Sequence, residues 1–161
     1  MTERPSWDEW ALAIAEVVAT RADCTRAQVG AVLLGSDHRL LGAGYNGSPA
    51  GVPGCLTEGA CPRGRHFLNS TSVGWEGPHA GHCACGGEWP CPEASEPNSD
   101  YANCLADHAE RNAIRHTSSA ELAGCTLYVT RAPCPACWTL IRACDIRRVV
   151  TPQGDLKMEE K

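Results

Sequence analysis

Apolar residues recur at three- and four-residue intervals near the start of the chain. In the segment SWDEWALAIAEVVATRA they lie at Trp7, Trp10, Ala11, Ile14, Val17 and Val18. This spacing places them on one face of an α-helix. Ser6, followed three residues later by Glu9, forms the pattern of a capping box at a helix start. The sequence therefore predicts a helix over residues 7–22.

The pattern then changes to short apolar runs. Residues 29–34 are almost continuously apolar, as in a central strand that is buried on both faces. The turn-like segment GSDHR separates this run from a second predicted strand. Helices are predicted at 107–118 and 134–143, strands at 126–130 and 146–152, and a frayed tail from residue 154. Strands that alternate with helices indicate a layered α/β fold.

A segment of different composition interrupts this order. Between residues 47 and 99 the chain is rich in Gly, Pro and polar residues and has no sustained periodicity. It carries Cys55, Cys61, His66, His79, His82, Cys83, Cys85 and Cys91. Metal coordination can organise such a segment without a hydrophobic core. We therefore predict one domain over residues 1–161, with a Cys/His-rich metal-binding insert at 55–103.

Composition narrows the class of protein. With 161 residues and 43% hydrophobic residues, the chain is long and apolar enough for a folded domain. A net charge of −5 argues against a polymeric nucleic acid as partner, because a phosphate backbone demands a basic surface. The polar start MTERPSWDEW resembles no signal peptide, and no apolar run approaches the roughly 18 residues of a membrane span. We expect a soluble, cytoplasmic protein without a membrane partner.

Eleven cysteines are unusual for such a protein. A reducing compartment disfavours stable disulfides, and clustered cysteines there more often bind metal. The odd count also fits metal sites with spare thiols better than a closed disulfide framework. A disulfide framework remains the alternative.

The segment APCPACW contains two cysteines three residues apart, Cys134 and Cys137. At this spacing their side chains share one side of a helical turn, and the flanking prolines favour a helix start. A helix N-terminus stabilises the thiolate, which is the form that binds metal. The pair predicts a zinc site, and a redox-active dithiol is the alternative.

His108 is the candidate third ligand, and Glu110 stands two residues later in ADHAERNAI. Residues two apart do not share a helix face, so both can reach one ion only at the start of a helix. Asp107 is a suitable N-cap residue for that helix. Two alternatives remain: a capping box from Asp107 to Glu110, and a histidine without a ligand role.

The pattern H-x-E followed by P-C-x-x-C is the signature of zinc deaminases. HAERNAI together with TLYVTRAPCPAC resembles the cytidine and deoxycytidylate deaminase superfamily. CTRAQVGAVLL (24–34) and GYNGSPAGVPGC (44–55) extend the resemblance to deoxycytidylate (dCMP) deaminases. It implies a three-layer fold with a mixed five-stranded sheet between helices. It further implies a zinc ion on His108, Cys134 and Cys137, Glu110 as catalytic proton carrier, and hydrolysis of dCMP to dUMP and ammonia.

The resemblance also suggests substrate contacts. The backbone at Ala109 would contact the pyrimidine amide, and Asn46 the sugar 3′-hydroxyl; a turn residue is the alternative for Asn46. Candidates for the phosphate are Arg26, Arg111, Arg115 and His116. For Arg111 and Arg115 the alternative is a solvated helix face. Where many relatives carry an aromatic residue and an arginine, this sequence has His116 and Ser119. Deoxycytidine, dCTP and 5-modified dCMP therefore stay open as substrates.

Further cysteines suggest structural zinc. Many dCMP deaminases hold a second zinc at positions that correspond to Cys24, Cys55 and Cys104, and Cys61 is the candidate fourth ligand. A site closed by four protein ligands is structural. A further zinc is expected on His82, Cys83, Cys85 and Cys91. Cys125 and Cys144 are predicted to be small buried hydrophobic residues.

Assembly and regulation follow from the resemblance alone. It implies a homo-oligomer, a hexamer in the family, and dCTP or dTTP as allosteric effectors with Mg²⁺ near GYNG. The pathway would be pyrimidine nucleotide metabolism. Two rival interpretations are a deaminase of RNA or DNA, which would need a basic channel, and a zinc-binding module without catalysis.

Overall fold

The computed structural model of the chain describes residues 3–58 and 104–156. The predicted ligands Cys61, His82, Cys83, Cys85 and Cys91 lie outside the described residues. The chain divides into two compact units. The first comprises Met1–Ala22, Gln28–Gly47 and Asp107–Lys161, and the second comprises Asp23–Ala27 and Ser48–Ala106.

A five-stranded mixed sheet forms the centre of the first unit, which confirms the predicted fold class. Its strands in chain order are β1 (Gly30–Leu34), β2 (Leu40–Tyr45), β3 (Thr126–Val129), β4 (Arg148–Thr151) and β5 (Gly154–Leu156). They lie in the order β2-β1-β3-β4-β5. Strands β3 and β4 are parallel and the other neighbours are antiparallel. The parallel pair is joined by a helical crossover, as parallel strands require.

Strand β1 is the buried central strand that its apolar run predicts. All five of its residues are buried, and Val32 faces Ala43 on one side and Tyr128 on the other. Alternate residues of β1 belong to different clusters, with Leu33 in one and Val32 in the other. Both faces of the sheet are therefore covered by helices.

Helix α1 (Trp7–Ala19) covers one face. The predicted capping box is present, because Ser6 and Glu9 each accept a bond from the other's backbone N–H. The helix ends three residues before the predicted end, where the hydroxyl of Thr20 donates to the carbonyl of Val17. No helix within residues 3–58 and 104–156 is long and apolar enough to cross a membrane.

The other face carries α3 (Ala109–Arg115), α4 (Ser119–Leu122) and α5 (Pro135–Ala143). The helix predicted over 107–118 is present as the shorter α3, and α4, which follows it, was not predicted. Thr117 ends α3 by donating its hydroxyl to the carbonyl of Ala113. Such local side-chain bonds compete with helix continuation.

The prediction of a frayed tail was wrong for residues 154–156, and the remaining residues of that tail, 157–161, lie outside the described residues. Gly154–Leu156 form β5, which pairs with β4. Gly154 has φ +112°, a conformation that favours glycine in this tight turn. On β5, Asp155 accepts hydrogen bonds from Arg148 at 2.6 and 2.8 Å. These contacts with the neighbouring strand β4 cannot be seen in the polar composition of the segment.

The second unit contains the short helix α2 (Cys55–Glu58). The carboxylate of Asp23 accepts the backbone N–H of Gly54 and of Thr57, both at 3.0 Å, and the Thr57 hydroxyl at 2.6 Å. The backbone carbonyl of Asp23 accepts the backbone N–H of Cys55 at 3.0 Å. Asp23 thus joins the segment that carries Cys24 to the start of α2.

Candidate active site

The N-termini of α3 and α5 meet in the first unit. His108 is the N-cap residue of α3, Cys134 is the N-cap residue of α5, and Cys137 lies in the first turn of α5. His108 Nδ1 is 3.2 Å from Cys137 Sγ and 3.6 Å from Cys134 Sγ. One ligand atom of each residue lies within 4.8 Å of the others. The structure therefore brings together the three residues predicted to bind the catalytic zinc.

Backbone geometry explains why these side chains converge. Cys134 is extended, with φ −72° and ψ 166°, as a residue before proline must be. His108 is also extended, with φ −82° and ψ 153°. Neither side chain makes a capping hydrogen bond to its own helix. Both N-cap side chains are directed to each other instead.

The donor set fits a zinc ion. One imidazole nitrogen and two sulfurs are ligands that zinc accepts, and three protein ligands leave a fourth position for water or substrate. None of the described cysteines is joined in a disulfide. Cys137 is 1% exposed, whereas Cys134 and His108 are half-buried. The site is therefore shielded on one side and accessible on the other.

The electrostatics of the site also favour a cation. Burial raises the pKa of the Cys137 thiol well above its usual range, and the neighbouring Glu110 carboxylate and then Cys134 raise it further. These groups oppose ionisation of one another in a poorly hydrated place. A bound divalent cation would offset that repulsion and stabilise the thiolate.

Glu110 is the second residue of α3 and only 4% exposed. Its carboxylate lies within hydrogen-bonding reach of Cys137. The prediction that Asp107 is the N-cap residue was wrong, because His108 is the N-cap residue of α3. Glu110 therefore occupies the second helical position, whereas a capping box requires the third. A buried carboxylate beside the ligand group can carry protons there.

Ala109 and Asn46, the two predicted contacts with the base and the sugar, both belong to the first unit. Ala109 is the first residue of α3 and fully buried. Asn46 accepts the backbone N–H of Val29 with Oδ1 at 2.7 Å, and donates its own backbone N–H to the Val29 carbonyl at 3.1 Å. These bonds orient the Asn46 side chain at the end of β2. Its role in sugar recognition stays a prediction.

The arginines predicted to bind the phosphate belong to different units of the chain. Arg26 is half-buried in the second unit, whereas Arg111 and Arg115 are exposed on α3. Both α3 arginines form ion pairs with Asp107. Their contact with a phosphate stays a prediction.

The predicted structural zinc ligands belong to the second unit. Cys55 is buried, and Cys24 and Cys104 are half-buried. The Asp23 bonds described above hold the neighbours of Cys24 and Cys55 together. Because Cys61 lies outside the described residues, the four-ligand set stays a prediction. In the first unit, Cys125 is buried in the hydrophobic core, as predicted, whereas Cys144 is only half-buried and packs against that core.

Sequence reasoning missed two contacts that hold α3. Asn112 donates Nδ2 to the carbonyl of Tyr45 on β2 at 2.8 Å. Asp107 exchanges two backbone hydrogen bonds with Gly47, at 2.9 and 3.1 Å. Arg111 and Arg115 follow Asp107 by four and eight residues. This spacing could have indicated that they pair with Asp107, because such residues share a helix face.

Comparison with known proteins matches residues 5–153 to the sequence model of the cytidine and deoxycytidylate deaminase zinc-binding region. The deoxycytidylate deaminase of Mycobacterium phage D29 is 43% identical over 150 residues, which cover 93% of this chain and 97% of that protein. The deoxycytidylate deaminase of Schizosaccharomyces pombe is 30% identical over 148 residues, 91% of this chain but 37% of the longer yeast protein.

A solved structure shares the fold. The dCMP deaminase of cyanophage S-TIM5 in apo form aligns with a TM-score of 0.58 at 21% identity, covering 92% of this chain and 84% of that one. The same cyanophage enzyme in complex with dCMP and dUMP aligns with a TM-score of 0.56 at 22% identity. At this identity the likeness concerns the fold alone.

Proposed function

The chain belongs to the cytidine and deoxycytidylate deaminase zinc-binding family, and from this premise we propose that it hydrolyses dCMP to dUMP and ammonia with a bound zinc ion. The observation that carries the proposal is the buried carboxylate of Glu110 beside the His108, Cys134 and Cys137 group. A zinc-binding module without catalysis has no use for a carboxylate in that position.

The reaction exchanges the C4 amino group of cytosine for the oxygen of water. A zinc ion, when bound by His108, Cys134 and Cys137, would supply the Lewis-acid activation of water. Glu110 takes one proton from the water molecule whose oxygen adds to C4, and delivers this proton to ring nitrogen N3. It then carries the remaining proton of the new C4 hydroxyl to the amino group, which leaves as ammonia while the C4 carbonyl forms. Burial keeps this carboxylate close to both atoms and limits exchange with solvent.

Two further residues would orient the substrate. The backbone at Ala109, at the start of α3, is placed next to Glu110 and would contact the pyrimidine amide. Asn46 would recognise the deoxyribose 3′-hydroxyl with its oriented amide. The choice of dCMP is supported by the D29 phage relative, whose length the chain spans almost completely.

A substrate panel tests the proposal. Zinc-loaded protein is incubated with deoxycytidine, dCMP, dCTP, CMP and 5-modified dCMP, and the ultraviolet change on forming uracil is followed. We expect the highest kcat/KM with dCMP, and no turnover by Glu110→Gln. A preference for deoxycytidine, dCTP or a modified base would correct the substrate. Turnover of oligonucleotides alone would favour the polymer deaminase, and no turnover at all would favour the zinc-binding module.

We further propose a cytoplasmic homo-oligomer, a hexamer as the family resemblance implies, regulated by dCTP and dTTP with Mg²⁺. The structural zinc on Cys24, Cys55, Cys61 and Cys104 would hold the second unit together, supported by the Asp23 bonds. Two measurements test this: particle mass with and without the nucleotides, and zinc content per chain. A single zinc per chain would contradict every structural site.

A further inference from the structure

The carboxylate of Asp107 has several partners at the start of α3. Its Oδ1 accepts the backbone N–H of His108 at 3.0 Å and pairs with Arg111 Nε at 3.1 Å. Its Oδ2 pairs with Arg115. The side chain is only 18% exposed, and its backbone is held by two bonds to Gly47. Asp107 is thus fixed both to the chain that follows β2 and to α3.

The start of α3 needs such support, because its N-cap side chain is used elsewhere. A helix begins with backbone N–H groups that lack partners within the helix, and a capping side chain usually satisfies one of them. At α3 the N-cap residue is His108, whose side chain makes no capping bond. Its ring lies against the two cysteines of α5. The residue before it, Asp107, supplies the fixed acceptor instead.

The two arginines explain how the carboxylate keeps its orientation. Arg111 and Arg115 follow Asp107 by four and eight residues, so they lie on one face of α3. Their side chains are 53% and 56% exposed. Exposed ion pairs contribute little to stability, but two guanidinium groups restrict the directions that the carboxylate can take. The negative charge is also favourable at the positive end of the helix.

We propose that Asp107 is a positioning residue for the deamination, and that Arg111 and Arg115 hold its carboxylate rather than bind the substrate phosphate. The inference rests on the proposed function. The hydrogen bond to the His108 N–H keeps His108 extended. That conformation lets the imidazole reach the cysteines while Glu110, two residues later, faces the same site.

Kinetics of Asp107→Ala and Asp107→Asn test this role, with Asp37→Ala as matched control. Asp37 likewise accepts a nearby backbone N–H, that of Arg39 at 3.2 Å, and pairs with the same arginine. Because a displacement of about 1 Å can cost about 100-fold in rate, we expect Asp107→Ala to lower kcat by about 10- to 100-fold, with KM for dCMP within about threefold.

The asparagine variant separates positioning from general stability. Its side-chain oxygen still accepts the His108 N–H, so kcat should return to within about threefold of the parent. The control should keep the parent kcat. The proposal is overturned if Asp107→Ala keeps kcat within about twofold, or if Asp107→Asn recovers nothing.

A second readout does not depend on turnover. Zinc release to a chelator is followed, and the phase that His108→Ala abolishes is assigned to this site. Loss of a residue that orients a ligand typically weakens metal binding about 10- to 100-fold. We expect Asp107→Ala to speed that phase by at least about tenfold. An unchanged rate overturns the inference even if the parent protein deaminates nothing, so the two failures can be told apart.

The double variant Arg111→Ala/Arg115→Ala decides between support and phosphate binding. If the arginines hold Asp107, kcat falls and KM for dCMP changes little. If they bind phosphate, KM for dCMP rises at least about tenfold while kcat is kept. The second result would overturn the assignment of the arginines.

Discussion

The N-terminus of α1 and the N-termini of α3 and α5 use the same helix position in different ways. At α1, Ser6 caps the helix and accepts the N–H of Glu9 at 3.2 Å. At α3 and α5, the side chains of the N-cap residues His108 and Cys134 make no capping bond. Instead, His108 Nδ1 lies 3.6 Å from Cys134 Sγ. The first arrangement serves the stability of one helix, and the second joins two helices into a site.

The acidic residues of the first turns differ in the same way. In α1, Asp8 accepts hydrogen bonds from Tyr128 and Arg148, all between 2.7 and 2.8 Å. In α3, Glu110 is buried beside Cys137, and its negative charge opposes the ionisation of the Cys137 thiol. A satisfied carboxylate stabilises the fold, whereas a carboxylate among competing groups is available for chemistry.

The largest expected difference between the two regions is in turnover. Glu110→Gln removes the proton carrier, so kcat should fall by about 10² to 10⁴-fold while zinc content stays unchanged. Glu9→Gln is the matched change in α1 and should leave kcat unchanged, because glutamine also completes a capping box. Steady-state kinetics and metal analysis give the answer. Retained turnover in Glu110→Gln would reject its assignment.

Glycine substitutions test how each helix is seated on the sheet. A Cβ at Gly44 would lie 2.3 Å from the backbone nitrogen of Ala113 in α3, and one at Gly30 would lie 2.0 Å from the carbonyl oxygen of Ala15 in α1. Both Gly→Ala changes should lower the free energy of unfolding by about 1–3 kcal/mol or more. Only Gly44→Ala should also lower kcat, because α3 carries His108.

Denaturant unfolding and the kcat of the folded fraction measure these effects. Equal kcat values for the two alanine variants would show that the packing of α3 against Gly44 does not position the site.

The Asp8 network predicts a dependence of stability on pH. The hydrogen bond from Arg148 holds the pKa of Asp8 below its usual range. The folded pKa therefore lies below the unfolded value of about 4, so the stabilisation is present above about pH 4 and is lost as pH falls through the folded pKa. Asp8→Asn should cost about 1 kcal/mol at pH 7, a small value because the side chain is 38% exposed.

Unfolding of the parent and of Asp8→Asn is compared between pH 3 and 7, with exposed Glu16→Gln as control. The difference should shrink toward the acid end. A difference that grows on acidification would contradict the network.

An effect of similarly small size is expected from the cap of α1. Ser6→Ala removes the side-chain acceptor for the Glu9 N–H and should lower the free energy of unfolding by about 1 kcal/mol. In zinc-free protein, His108→Ala should cost less than this, because no capping bond is lost at α3. Thermal unfolding of both variants measures the contrast. A larger loss from His108→Ala would show that this residue supports the helix by itself.

Local patterns were sufficient for the parts of the molecule that local interactions decide. The apolar run of β1 predicted a strand buried on both faces, and the spacing of Cys134 and Cys137 predicted a shared helix turn. The His108-x-Glu110 pair predicted that both residues reach one place at the start of a helix. Each of these depends on the geometry of a few neighbouring residues, which the periodicity of helices and strands determines.

Errors occurred where contacts with another segment of the chain decide the outcome. Strand β5 is held by pairing with the preceding strand β4 and by the bonds between Asp155 and Arg148, not by its own propensity. Aspartate is a common N-cap residue, but the backbone bonds between Asp107 and Gly47 keep Asp107 one position before the N-cap of α3. Propensity is a weak guide in such places, because tertiary contacts outweigh it.

The amino-acid sequence by itself determined the chemical inventory of this protein: which nitrogen, sulfur and carboxylate groups are present, and which of them share a turn. The tertiary structure alone decided that the N-terminus of α3 meets that of α5, 26 residues away along the chain. The physical reason is that both helices cover the same face of one sheet, where burial of their apolar sides fixes their directions. His108 and Cys134 therefore meet because the core is packed there.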